Sequence, residues 1–124
     1  MGMSIRTTKK QFELFEKECR KWLGKLGLKD WCVRILHDDL GSEEILAQCL
    51  WKTEQRIANL LLNKVVATSK GVCEIKRAAL HECLELLLCG CTDAMRKAIT
   101  DGIVDRETHK VIRTLENVLM GDPR

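Results

Sequence analysis

The sequence predicts one α+β domain: an N-terminal helix, a small sheet of about three strands, antiparallel or mixed, and a helical second half. Three observations lead there. Apolar residues recur three and four apart from Phe12 to Leu26, Trp31–His37 is rich in aromatic and β-branched residues, and an apolar run at Ala78–Leu88 follows a polar connection. At 124 residues, 45% hydrophobic and 31% charged, the chain can fill one core but not two, so residues 1–124 are read as a single domain.

Thr8 followed three residues later by Gln11 makes a capping box that starts the first helix. Phe12, Phe15, Cys19, Trp22, Leu23 and Leu26 then form one apolar stripe and Gly27 supplies a stop, giving a helix over 8–26. Trp31–His37 reads as a strand and Asp38-Asp39-Leu40-Gly41-Ser42 as a turn. Strands over Ile45–Lys52 and Arg56–Asn63 follow, joined at Thr53-Glu54-Gln55. By propensity Ile57–Leu62 also suits a helix; the short connection favours strands. Thr68 and Ser69 are candidate N-caps for a long helix over 73–89, ended by Gly90. Thr92-Asp93 then caps a short helix through Ile99, Gly102 breaks it, and a last helix over 105–119 carries Val111, Ile112, Leu115, Val118 and Leu119 on its apolar side.

Composition narrows the classes. No stretch approaches the roughly 18 apolar residues of a membrane span, and Met1-Gly2-Met3-Ser4-Ile5 is not a basic-then-apolar leader, so the expectation is a cytoplasmic protein with no membrane partner. Seven cysteines, an odd number, argue against a closed disulfide framework and for buried or metal-binding thiols. Cys73, Cys83, Cys89 and Cys91 form a weaker candidate for a structural ion, without a Cys-x-x-Cys knuckle. Residues 1–30 hold eight Lys/Arg against four acids, a local charge of +4. That helix admits a nucleic-acid or acidic partner, but without interleaved aromatics a solvated face is the simpler reading.

The chemistry concentrates in Leu80-His81-Glu82-Cys83-Leu84-Glu85. On a helix with about 3.6 residues per turn, His81 and Glu85 project from one face, one turn apart, in the geometry for gripping one ion. Glu82 stands at the edge of that face, where it leans over the ion without binding it. This is the logic of the His-Glu-x-x-His zinc helix, with Glu85 replacing the second His. A carboxylate is an accepted zinc ligand. The plain alternative is a hydrogen-bonded histidine with two solvated acids on the helix's wet side.

The order of elements, the Trp-x-Val-x-Ile opening of the sheet, Ala79-Leu80-His81-Glu82 and the C-terminal Arg113-Thr114-Leu115-Glu116 together resemble the small zincin-like metallopeptidase family of bacteriophage and bacterial genomes. The resemblance runs from about Trp22 to Leu119. It implies a minimal zincin-like fold, supports the strand pair, and implies one zinc ion held by two residues of the active helix and a third further along. Glu85 departs from the His-Glu-x-x-His of many relatives. A catalytic zinc site commonly takes two His and one Glu, and His109 on the last helix completes that set if the helices cross at the correct height. Glu107, His37 and Asp105 are the alternatives; His37, at a strand end, is expected to be exposed. Glu107 and His109, two apart on a helix, cannot both point inward.

With that site, Glu82 is the catalytic base, His81, Glu85 and His109 are the metal ligands, and the reaction is hydrolysis of a peptide or protein substrate. The strand at 56–63 is expected to align the peptide by strand addition, the substrate mode that the resemblance implies. The chain contains no Tyr, so a tyrosine oxyanion donor is excluded. Two other readings stand beside this one: a non-catalytic zincin-fold binding protein of phage origin acting through protein contacts, and a nucleic-acid-associated protein of the SprT-like kind.

Overall fold

A computed structural model describes residues 4–121, which leaves the first three residues of Met1–Ile5 outside it. The elements are β1 (Ile5–Arg6), α1 (Lys9–Lys25), β2 (Cys32–Asp38), β3 (Ala47–Lys52), β4 (Ile57–Asn63), β5 (Val65–Val66), α2 (Val72–Arg96) and α3 (Asp101–Met120). This is an α+β arrangement of three helices with a two-stranded and a three-stranded sheet.

Helix α1 begins and ends as its sequence dictates. Thr8 Oγ1 accepts the Gln11 N–H and the Gln11 side chain accepts the Thr8 N–H. At the other end Gly27, at φ +73°, lets Leu28 N–H reach the Leu23 carbonyl at 2.9 Å, the paired closure that terminates a helix through a left-handed residue. The stripe between them buries Phe15, Cys19, Trp22 and Leu23 against α2 and the sheet.

The larger sheet is mixed. Its order is β2-β4-β3, with β4 parallel to β2 and antiparallel to β3. The pairing lines up His37, Leu62 and Ala47 in one row, Ile35, Leu60 and Cys49 in the next, and Val33, Ala58 and Trp51 in a third. Leu60 and Leu62 are fully buried. Alternation puts these three rows on one face, the face that receives the helices. The small β1–β5 antiparallel ladder, pairing Ile5 with Val66, lay beyond the sequence reading because it joins two-residue segments sixty residues apart.

Three boundaries differ from expectation. Gly90 does not end α2, which runs unbroken from Val72 to Arg96 and absorbs most of the expected short helix at 92–99. The cause is packing: Leu86, Cys89 and Thr92 continue the buried stripe past the glycine, and burial outweighs the roughly 1 kcal/mol a mid-helix Gly costs. Thr92 is therefore no cap; its hydroxyl donates to the Cys89 carbonyl inside the helix. The real break is at residues 97–100, so α3 starts at Asp101 and Gly102 sits in its first turn. The N-cap of α2 is Gly71, whose N–H donates to Glu74, not Thr68 or Ser69.

Asn63 fastens the approach to β3. Fully buried, it accepts from Leu40 N–H and donates to the carbonyls of Ser42 and Ile45, satisfying three backbone groups of the loop, and accepts as well from Val65 N–H of β5. At the far end of β3, Asp93 of α2 accepts from the Trp51 indole N–H at 3.1 Å and from the Thr53 hydroxyl at 2.5 Å. Among the described residues no helix is long and apolar enough to cross a membrane.

Candidate metal centre

Helices α2 and α3 lie side by side, and beside the buried Ile112 a set of polar side chains faces across between them. On α2, Arg77, His81 and Glu85 stand at four-residue steps and so share one face. On α3, His109 and Glu116 stand seven apart and share another. His109 meets Glu85 and Glu116 meets Arg77 and His81, so the two helices run in opposite senses here.

His81, Glu85 and His109 each present one ligand atom, and the three atoms lie within 4.8 Å of one another. His81 Nε2 is 3.7 Å from Glu85 Oε1, and His109 Nε2 is 3.4 Å from the same oxygen. Two ligands of a tetrahedral zinc stand roughly 3.3 Å apart. The two edges that meet at Glu85 are close to that, and two imidazoles with one carboxylate are a donor set zinc accepts; the residues present fit such an ion. The imidazole rings are 5.7 Å apart between centroids.

His81 is also held from behind. Its Nδ1 lies 2.6 Å from Glu116 Oε2, while Arg77 Nη1 lies 3.4 Å from Glu116 Oε1. With Nδ1–H donating to Glu116, Nε2 is the nitrogen left facing Glu85 and His109, and it must give up its proton before it can ligate an ion. Burial works against a charged His81, but the hydrogen bonds to Glu116 and Glu85 overcome it and push its pKa up to about 10 in the metal-free protein. Burial likewise opposes Glu85, yet His81, Glu82 and His109 hold it below its ordinary value.

Glu82 is 5% exposed, on the adjacent edge of α2. Burial first, and then the neighbouring Glu85, push its carboxyl well above the usual range. It lines, with the triad, a groove of about 830 Å³ between β3 and the two helices, whose opposite wall includes Ile45, Ala47, Cys49 and Trp51.

The alternative third ligands point elsewhere. Glu107 is exposed and pairs with Arg106 and Lys110. Asp105 pairs with Arg96 at 2.7 Å. His37 is not exposed as expected: its ring stacks on Phe12 with centroids 5.0 Å apart, and Nε2 sits 2.7 Å from Thr7 Oγ1. The Thr7 hydroxyl donates to the Asn63 carbonyl, so His37 is the donor to Thr7, a structural role. The strand at 56–63 proves to be β4, the centre of the sheet with both edges paired, so it cannot take a further strand; the edge beside the groove is β3.

The cysteines make no site. All seven are free, with Cys19, Cys49, Cys83 and Cys89 buried and Cys32, Cys73 and Cys91 exposed. Cys73 and Cys91 lie on one helix, separated by roughly 27 Å of rise, which rules out a shared ion.

Glu116 was missed as a site residue. It stood within Arg113-Thr114-Leu115-Glu116 without a role, and the seven-residue spacing from His109 was the available signal. No family model, no curated protein and no solved structure matches the chain.

Proposed function

We propose that the chain is a zinc-dependent peptidase of zincin-like type, with His81, Glu85 and His109 as ligands and Glu82 as general base. The observation that carries this is the convergence of two imidazoles and a carboxylate from separate helices at a groove that also exposes the edge of β3. When bound, zinc would supply an acidified water and a polarised carbonyl oxygen, with Glu82 beside it in the carboxylate form. Glu82 then accepts a proton from the attacking water and delivers it to the leaving amine, the two transfers that peptide hydrolysis requires. The edge of β3, free of any strand on its groove side, holds the peptide extended through main-chain hydrogen bonds. Glu116 anchors His81, and Glu85 keeps its negative charge for the ion.

One observation favours a second reading. A carboxyl as enclosed as Glu82, and pushed up by burial and by Glu85, is a poor base while it stays protonated. A protein that keeps the ion and the groove but binds a peptide or protein without cutting it has the same geometry.

Metal analysis of purified protein, joined to peptide-library cleavage, separates the two. Peptidase function predicts about one zinc per chain and cleavage that Glu82→Gln lowers about 100-fold or more while zinc is retained. Zinc uptake with no cleavage of any peptide leaves the binding reading. A zinc-free protein that folds normally removes both.

A further inference from the structure

We propose that Glu116 and Arg77 are positioning residues for the metal centre: Glu116 fixes the ring of His81, and Arg77 acts through Glu116. The inference rests on the metal-site reading above and concerns two residues to which that reading gave no test of their own.

Glu116 is 7% exposed on α3, a helix whose other buried residues are only Val104 and Ile112. A carboxylate enclosed at a helix contact is costly unless its oxygens are met. Both are, and by different partners. Oε2 takes the His81 ring nitrogen at 2.6 Å, on the side of the imidazole away from Glu85 and His109. Oε1 faces Arg77 Nη1 at 3.4 Å. Arg77 in turn is located by the end of α3, donating to the Gly121 carbonyl at 2.9 Å and to Asn117 Oδ1 at 3.3 Å.

The consequence is directional. An imidazole can present either nitrogen and can rotate about its bonds to the helix; a carboxylate held on one nitrogen removes both freedoms. Here it selects the Nδ1–H tautomer and aims Nε2 at the other two ligands. The hydrogen bonds of Arg77 go to Glu116, Asn117 and Gly121 and to none of the three ligands, so an influence on metal binding that runs through the carboxylate should disappear when Glu116 is gone. A role confined to tethering Gly121 and Asn117 would survive that loss.

The experiment uses the full chain and zinc alone as probe, with affinity measured by competition against a chromophoric chelator. Ring tautomers are read by long-range proton–nitrogen NMR. Wild type is expected to bind zinc with His81 as the Nδ1–H tautomer. Glu116→Ala is expected to weaken zinc about 10–100-fold and mix the tautomers, with Glu116→Gln, which keeps the shape, at the lower end. Arg77→Ala should weaken zinc less, Arg77→Lys should restore part of the loss, and Arg77→Ala should add nothing in the Glu116→Ala background. If Glu116→Ala fails to fold, the Gln variant gives the same comparison.

Unchanged zinc affinity and tautomer in the Glu116 variants overturn the proposal while leaving the triad standing. Additive losses in the double variant overturn the part assigned to Arg77. A wild-type protein that takes up no zinc, or a His81→Ala variant that binds it as tightly as wild type, defeats the metal-site reading itself and this proposal with it.

Discussion

If zinc is held as proposed, removing it should loosen α3 before anything else. The apolar hold on that helix comes chiefly from Val104 and Ile112, 1% and 0% exposed, worth about 1.5–3 kcal/mol each. Leu115 and Met120 are only partly buried and add less. An ion held as proposed would join α3 to α2 through His109, and at a free zinc concentration of about 100 times Kd would contribute about 2.7 kcal/mol. The clasp is therefore comparable to either buried side chain. For a chain of this size that energy raises the melting temperature by about 10 °C, and slows amide exchange in α3 by up to about 100-fold where exchange proceeds through undocking. The assay is hydrogen exchange and thermal melting with zinc and with chelator, on wild type and His109→Ala. In the variant, both the temperature shift and the gain in α3 protection should almost vanish. Equal protection of α3 with and without zinc, or the same zinc-induced shift in His109→Ala, refutes the argument that the ion ties the two helices.

Three further predictions follow from individual side chains. In metal-free protein His81 has its pKa at about 10 against a reference of 6.5, so the native state keeps a proton that the unfolded chain loses. Its stabilising contribution is whole below 6.5 and disappears as pH rises through about 10. Glu82, raised above 4.5, acts in the same direction; melts in chelator should fall with rising pH, less so in His81→Gln, and zinc affinity should climb roughly tenfold per unit below that upper pKa. Asn63→Ala, which strips three bonds holding the loop before β3 and one to Val65, should cost about 3 kcal/mol in denaturant unfolding; a loss below about 0.5 kcal/mol would show the loop is held otherwise. With a thiol reagent, Cys32, Cys73 and Cys91 should react promptly and the four buried cysteines only on unfolding; fast reaction of a fourth thiol contradicts the packing.

Much of this architecture is written in local pattern. The capping box at Thr8, the stripe through Trp22 and the aromatic and β-branched run before His37 are signals spanning a few residues, and each element they announce is present within two residues of its expected ends. The His81–Glu85 pair is equally local, because one helical turn fixes it. His109 needed more, since its approach to Glu85 depends on how two helices cross, and periodicity on either helix leaves that open. Glu116 was hidden by the same limit. Gly90 misled for the opposite reason: a local breaker signal lost to tertiary burial of Cys89 and Thr92, which only the packed core makes visible. The placement of β4 between β2 and β3, and so the choice of β3 as the free edge, is a matter of pairing order that strand propensity does not encode.

The two anchors of β3 bear on how a guest would enter. Asn63 secures one end of that strand and Asp93 the other, each through hydrogen bonds to parts of the chain distant in sequence. A slot bolted at both ends has little room to gape or clamp down. Its shape is paid in advance by folding, so an incoming segment loses its own freedom but asks for almost no rearrangement from its host. If the proposed hydrolysis takes place there, its rate would be set by chemistry or by departure of the fragments, not by a lid.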